Sequence, residues 1–384
     1  MKGEINMIYL DNSAGTRPYP QVIETITSVL SDHWGNASSD NSIGRDARLI
    51  INETTQKVAD DICCDANEII WTSGACEANS LAVMGLLNSD PRMHFYTTRL
   101  EHTSIVEIVK NRLNYPRFFL DNDKYGYIDL EDLEKQLQED YQRGSHIFVS
   151  VSFANSEIGT IQNIKAISDI VHKYKGIFHT DATQAYPWLN INVRDLGIDM
   201  MSVSGQKMHC VKGVGFLYVK NGIKLQPMIY GSQQEYRRGG TYPTHLIAAF
   251  GTALEITRNL NVNQGVFDLR NYLLNQLLLV DGVHLNGPDI GTNRLLNNIS
   301  LTIDDVDADK LVTMCDLMGI IIAKGSACKS YEQQPSQTLL SIGLSVKEAQ
   351  NTIRISLSGF NSFSDVKQAA EIITKLIERV RNEE

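Results

Sequence analysis

Two residues far apart in the chain have the types needed for one kind of chemistry. Lys207 ends the stretch Met200-Met201-Ser202-Val203-Ser204-Gly205-Gln206-Lys207, where an apolar run gives way to small residues that present a single amine. A lysine in that setting can form a Schiff base. Asp181 ends a second short apolar run, Ile177-Phe178-His179-Thr180-Asp181, followed by Ala182-Thr183-Gln184. Pyridoxal 5'-phosphate (PLP) needs this pair: a lysine for its aldehyde, and an acid that keeps the ring nitrogen protonated so that the ring can accept electrons. In an open α/β sheet the strand ends along one edge share a crevice, so residues distant in sequence can meet there.

Other residues along the chain add to the pair. The segment Glu68–Thr72 reads as a strand, Ser73-Gly74 as a turn and Ala75–Leu87 as a helix. Such a unit offers backbone N–H groups to a phosphate, although many α/β proteins have the turn without a ligand. The strand Met93–Thr97 leads to Glu101-His102 and a helix over Ile105–Leu113, which puts His102 at a strand-to-helix junction on the same edge. The pattern recurs with the strand Ile147–Ser152, the loop Asn155-Ser156-Glu157-Ile158-Gly159 and a helix over Ile164–Lys175. Cys328 lies in a polar loop, with Lys324 and Lys329 placed to favour its thiolate. Arg354 sits inside the apolar strand Ile353–Leu357, where its guanidinium requires an anion. Either a substrate carboxylate or an internal Asp or Glu would serve.

The elements that must position these residues alternate between strand and helix, which predicts an α/β fold with a mostly parallel sheet covered by helices on both faces. A strand is expected from Gly213 to Val219, then the loop Gly231–Thr241 with Arg237 and Arg238 among glycines, and helices over His245–Asn259 and Gln264–Val280. The remainder reads as α+β: strands at Asn298–Ile303, Ile320–Ala323 and Thr352–Leu357, a helix from Asp307 and an amphipathic helix over Ser364–Arg381. A chain of 384 residues, 42% hydrophobic, suggests two domains. The net charge of -10 argues against nucleic acid or an anionic membrane as the main partner. No apolar run approaches the roughly 18 residues of a membrane span, and a cytoplasmic location is expected. The six cysteines lack CxxC spacing and read as reduced thiols, with no metal site.

These motifs, in this order, resemble the cysteine desulfurases of the class V aminotransferase superfamily, fold-type I PLP enzymes that take sulfur from L-cysteine. The resemblance rests on Tyr9-Leu10-Asp11-Asn12, Asn36-Ala37-Ser38-Ser39, Thr72–Asn79, Glu101-His102, Ala154–Gly159, His179–Gln184, Ser204–Lys207, the loop ending at Thr241, Ser326-Ala327-Cys328 and Ile353-Arg354. It implies a seven-stranded sheet in a large domain of residues 13–256, and a small domain of residues 1–12 and 257–384 that carries the cysteine loop at about 324–335. Lys207 would anchor PLP and shuttle protons, with Asp181 on the ring nitrogen and His102 stacked on the ring and assisting in acid/base steps. Gln184 and Asn155 would bond the ring oxygen or the substrate, and Gly74, Ala75, Cys76, Ser204, Gln206 and Thr241 would line the phosphate site. Arg354, with Asn36 and Asn155, would hold the substrate. Cys328 would take the sulfur as a persulfide, leaving alanine.

The resemblance further implies a homodimer in which Thr241 reaches the neighbouring subunit's phosphate. A sulfur acceptor is implied too, either an iron-sulfur scaffold or a tRNA-thiolation enzyme. The chain departs from the family pattern at Gln206 in place of a histidine, Cys76 in place of a threonine, Ala37 in place of a proline and Asn41 in place of a histidine. Alternatives that keep the fold are a PLP-dependent lyase or aminotransferase acting on another amino acid, and a non-catalytic scaffold.

Overall fold

The structure, a computed structural model, describes residues 7–90, 92–111, 115–259, 262–291, 293–325 and 335–383. The chain opens with β1 (Ile8–Tyr9), α1 (Pro20–Asp32) and α2 (Ser42–Ile62). An alternating run follows: β2 (Ile69–Thr72), α3 (Ala75–Ser89), β3 (Met93–Thr98), α4 (Thr103–Asn111), β4 (Arg117–Leu120), α5 (Leu130–Gln142), β5 (His146–Ser150), α6 (Ile164–Lys173), β6 (Ile177–Asp181), β7 (Met200–Ser204) and β8 (Gly215–Val219). Next come α7 (Thr244–Asn259), α8 (Val262–Leu277), β9 (Val283–Leu285), β10 (Asn298–Ile303), α9 (Ala308–Leu317), β11 (Ile320–Ile321) and β12 (Ala323–Lys324). The chain closes with α10 (Gln337–Ser341), α11 (Val346–Gln350), β13 (Thr352–Ser356) and α12 (Phe363–Asn382).

The large sheet has seven strands in the order β2-β8-β7-β6-β5-β3-β4. Neighbouring strands from β7 to β4 run parallel, while β8 is antiparallel to both β7 and β2. Strands covered on both faces read as continuous apolar runs, and β2, β7 and β8 are buried at every residue. The loops after β2, β3, β5, β6 and β7 therefore leave the sheet along one edge, and the candidates Gly74, His102, Asn155, Gln184 and Lys207 sit on or directly beside those loops, whereas Arg354 belongs to β13.

A second sheet, β12-β13-β10-β9, is antiparallel, and β1 pairs with β11 in a parallel ribbon. Its core gathers Ile299, Leu301, Ile353 and Ile355 with Ile373 and Ile377 of α12, and takes in Ile8 and Leu10 from the start of the chain. The N-terminal strand thus packs with the last third of the sequence.

Two expectations change in detail. The strand foreseen over Ile320–Ala323 is two short strands, because Ile320 and Ile321 pair with β1 whereas Ala323 and Lys324 pair with β13. The pattern also overlooked α2, β4 and α5. Helix α2 is capped by Asn41, whose side chain accepts from the Gly44 N–H at 2.8 Å. Its buried stripe, Ala47, Ile51, Thr54, Val58 and Ile62, keeps the helical spacing but includes a polar residue that breaks the hydrophobic signal.

Candidate active site

A cavity of about 380 Å³ opens along this edge of the large sheet. Its first wall is the turn between β2 and α3. Gly74 adopts a φ of 144°, open to glycine but strained for other residues, and caps α3 without a side chain. The turn packs closely on β8: a Cβ at Gly215 would lie 2.8 Å from Gly74 Cα. The helix N-terminus thus faces the cavity with its partial positive charge and backbone amides, and Gly74, Ala75, Cys76 and Ser204 line this end. Glu77 in the first turn is pinned by the Ser73 N–H at 2.8 Å and by Arg238, whose Nε donates at 2.6 Å. Although burial pushes its carboxyl upward, the bonds from Arg238 and Ser73 hold it below the ordinary value.

Asp181, only 6% exposed, closes β6. Its Oδ2 accepts from Asn79 Nδ2 at 2.7 Å, and its Oδ1 from the Thr183 N–H at 2.9 Å. Lys207 ends a single 3-10 turn, Gly205–Lys207, directly after β7. Its Nζ donates to the carbonyls of Ser13 and Ala14 at 2.8 and 2.7 Å, and Gln184 Nε2 donates to the same Ser13 carbonyl at 3.1 Å. The segment after β1 therefore fixes the lysine. His102 is exposed at the start of α4, with Nδ1 2.8 Å from Ser104 Oγ. Asn155 donates to the Leu100 carbonyl at 2.9 Å and accepts from the Glu157 and Ile158 amides at 2.8 and 3.0 Å.

Arg354 is 3% exposed in β13, and its Nη2 donates to Asp11 Oδ1 at 2.8 Å. The internal salt bridge weighed from the sequence thus exists, yet Arg354 also lines the cavity, and its buried Nε has no partner among the described residues.

Lys207, Asp181, Gln184, His102, Asn155, Gly74, Ala75, Cys76, Ser204, Gln206 and Arg354 all line this one cavity. Asn36 and Thr241 do not. Asn36 is exposed and its Oδ1 accepts from the Ser38 N–H at 3.0 Å, while Thr241 is exposed on the loop before α7. Cys328 lies outside the described residues, in the stretch between β12 and α10. The sequence reading passed over the carbonyls of Ser13 and Ala14, the buried Asn79 and Glu101. No motif signals a carbonyl or a buried amide, and only the neighbouring Asp and His drew notice.

Glu101 is buried in the wall of the cavity. Its Oε1 accepts from Thr98 Oγ1 at 2.8 Å and from the Ser152 N–H at 2.9 Å, and its Oε2 accepts from Ser152 Oγ at 2.5 Å. Burial outweighs these bonds and raises its carboxyl from 4.5 to about 7. With the folded value above the unfolded one, the stability Glu101 contributes is full below pH 4.5 and is lost as pH rises through about 7. Glu101→Gln is expected to flatten the fall in stability across that window, as read from denaturant midpoints. An unchanged pH dependence would refute it.

The sequence matches the family described as aminotransferase class-V over residues 8–369. The chain belongs to that family. It is 33% identical to "Cysteine desulfurase IscS" of Methanosarcina thermophila over 99% of this chain and 94% of the relative. Among solved structures it superposes on a NifS-like protein with a TM-score of 0.89 at 27% identity, covering 97% of this chain and all of the other. A structure titled "SspA in complex with cysteine" matches with a TM-score of 0.81 at 29% identity, over 92% of this chain and all of the other. The cofactor of this class-V member is PLP. The cavity fits it on its own terms: a buried carboxylate, a primary amine and an uncapped helix N-terminus converge there. In addition, the buried hydroxyls of Ser13 and Thr183, both in the lining, have no partner among the described residues.

Proposed function

We propose that this protein is a cysteine desulfurase, which removes sulfur from L-cysteine to give L-alanine and a persulfide on Cys328. The observation that carries the reading is the convergence of Lys207, Asp181 and Arg354 on one cavity, since a PLP anchor, a ring acid and a carboxylate clamp are the minimum for an amino-acid substrate. When bound, PLP supplies an electron sink for the bonds at the substrate α-carbon. Lys207 Nζ anchors the cofactor and then moves protons at the α-carbon. Asp181 would offer its carboxylate to the protonated ring nitrogen, while His102 would stack on the ring and assist in proton transfer. Gln184 and Asn155 would bond the ring oxygen or the substrate. Arg354 grips the substrate carboxylate while Asp11 holds its other end. The thiolate of Cys328 attacks the substrate sulfur, the carbon–sulfur bond breaks with its electron pair kept by the substrate carbon, which takes up a proton on the way to alanine, and the sulfur stays on the enzyme as a persulfide.

This reading takes the working form as a cytoplasmic homodimer in which Thr241 completes the partner's phosphate site. The sulfur goes on to an acceptor protein, an iron-sulfur scaffold or a tRNA-thiolation enzyme. The large domain spans residues 13–256, and the small domain combines residues 1–12 with 257–384. Incubating the holoenzyme with L-cysteine and a reductant tests the reaction: sulfide and alanine should appear in equal amounts. Neither product forming, with another amino acid consumed instead, would replace this reading by that of a related lyase or aminotransferase.

The phosphate end makes a separate prediction. Gln206 donates without charge and Cys76 offers only a weak S–H donor, where the family pattern has a histidine and a threonine. Restoring both, Gln206→His with Cys76→Thr, is expected to tighten PLP binding by about ten- to a hundredfold, the worth of one or two hydrogen bonds to a charged group. Titration of the two apoproteins with PLP decides it. Equal dissociation constants would mean that backbone amides already satisfy the phosphate.

A further inference from the structure

A continuous line of hydrogen bonds joins the acid at the end of β6 to the histidine at the start of α4, and none of the roles above uses it. Asn79 lies in α3 with no exposed surface. Its Nδ2 donates to Asp181 Oδ2 at 2.7 Å and to Ser104 Oγ at 2.9 Å. Ser104 Oγ in turn lies 2.8 Å from His102 Nδ1, and the Ser104 backbone N–H donates to the same Nδ1 at 3.1 Å.

The two ends of this line fix the direction of every bond in it. The Asp181 side chain presents acceptor oxygens, and the nitrogen of the Asn79 amide faces one of them. A backbone N–H only donates, so His102 Nδ1 must present a lone pair. The Ser104 hydroxyl then gives its proton to Nδ1 and accepts from Asn79. A neutral imidazole with a lone pair at Nδ1 carries its proton at Nε2.

We propose that Asn79 and Ser104 are positioning residues: together with the Ser104 backbone N–H, their side chains, in a hydrogen-bonded chain beginning at Asp181, orient His102 and keep it as the tautomer protonated at Nε2. The inference rests on the assignment of His102 to proton transfer in the proposed desulfurase. It makes that residue a proton donor at the start of the cycle, because the ring has no lone pair at Nε2 to offer. It also ties two groups assigned to opposite duties, the ring acid and the histidine, to one buried amide. A change at Asn79 disturbs both, whereas a change at Ser104 disturbs the histidine alone.

The experiment uses holoenzyme labelled with ¹⁵N in histidine, with long-range imidazole correlations recorded for the parent, Ser104→Ala, Ser104→Thr and Asn79→Leu, and His102→Gln serving to assign the signal. The parent should show a bare Nδ1 and a protonated Nε2 at His102. Ser104→Ala should move the Nδ1 resonance toward that of a nitrogen relieved of a donor and lower kcat by about tenfold, the worth of one hydrogen bond, with KM for L-cysteine unchanged. Ser104→Thr should restore both. Asn79→Leu, where it folds, should add weaker PLP binding to the same spectral change.

A proton found on Nδ1 in the parent overturns the proposal. So does a Ser104→Ala protein whose Nδ1 resonance matches the parent, whatever its kcat. The spectrum reads the tautomer independently of turnover, so a failure of the desulfurase reading would leave this result standing on its own.

Discussion

Replacing Lys207 by alanine is expected to lower turnover of L-cysteine by about a thousandfold or more, because in the proposed reaction one side chain supplies both the covalent anchor and the proton shuttle. The loss should fall on kcat. The structure gives a reason beyond the missing amine: Nζ is the group that occupies the carbonyls of Ser13 and Ala14. Without it, those two acceptors face the cavity from the segment that also receives Gln184. Folding should survive, since Lys207 is only partly buried and its turn, Gly205–Lys207, is held by backbone bonds such as Gly205 N–H to the Val214 carbonyl at 3.0 Å. Sulfide and alanine are measured under saturating cysteine on protein shown by circular dichroism to be folded. Turnover within a few-fold of the parent would end the assignment of Lys207.

Cys328→Ala is expected to have an equally large effect on a different quantity. The variant should bind PLP and L-cysteine as the parent does, because Lys207, Asp181 and Arg354, which line the cavity, are unchanged in it. It should nevertheless release almost no sulfide under a reductant, for lack of a thiolate to take the sulfur. Trapping the parent with an alkylating agent and weighing the peptide that contains Cys328 should reveal one added sulfur. Near-normal sulfide release by the variant would show that the sulfur leaves by another route. The two variants together separate cofactor chemistry from sulfur transfer.

What the sequence made legible follows from the range of the forces involved. Lys207 and Asp181 could be paired on paper because each ends a short buried run, and parallel strands bring such ends to one edge. Gly74 was legible for the same reason, as the small residue between a strand and a helix. Arg354 was legible only as a question, since its strand demanded an anion without saying which. The answer, Asp11, lies at the other end of the chain and reaches Arg354 because the N-terminal ribbon joins the C-terminal core.

The roles of Asn79, Ser104 and Glu101 were not legible because they lie in contacts across 25 to 102 residues of chain. Within its own helix Asn79 is an ordinary polar residue. Helix α2 was missed for a different reason: its core-facing stripe runs through Thr54, and the rest of its surface carries charges that mask the period. In the loop Gly231–Thr241, whose arginines stand among glycines, Arg238 is engaged with Glu77 and Arg237 with the Asn67 carbonyl at 2.7 Å.

That loop carries one more feature, at the margin of the large sheet. Gln234 accepts from the Trp71 N–H at 2.7 Å and donates to the Trp71 carbonyl at 3.0 Å, so that its side-chain amide stands where the backbone of an eighth strand would be. An open strand edge is a template on which foreign chains pair; here the central bonding position of the outermost strand is already taken. The same two bonds fasten the loop to Trp71, only two residues before the Ser73-Gly74 turn. The loop is thus tied to both sides of that turn, by Gln234 to Trp71 at the end of β2 and by Arg238 to Glu77 in the first turn of α3.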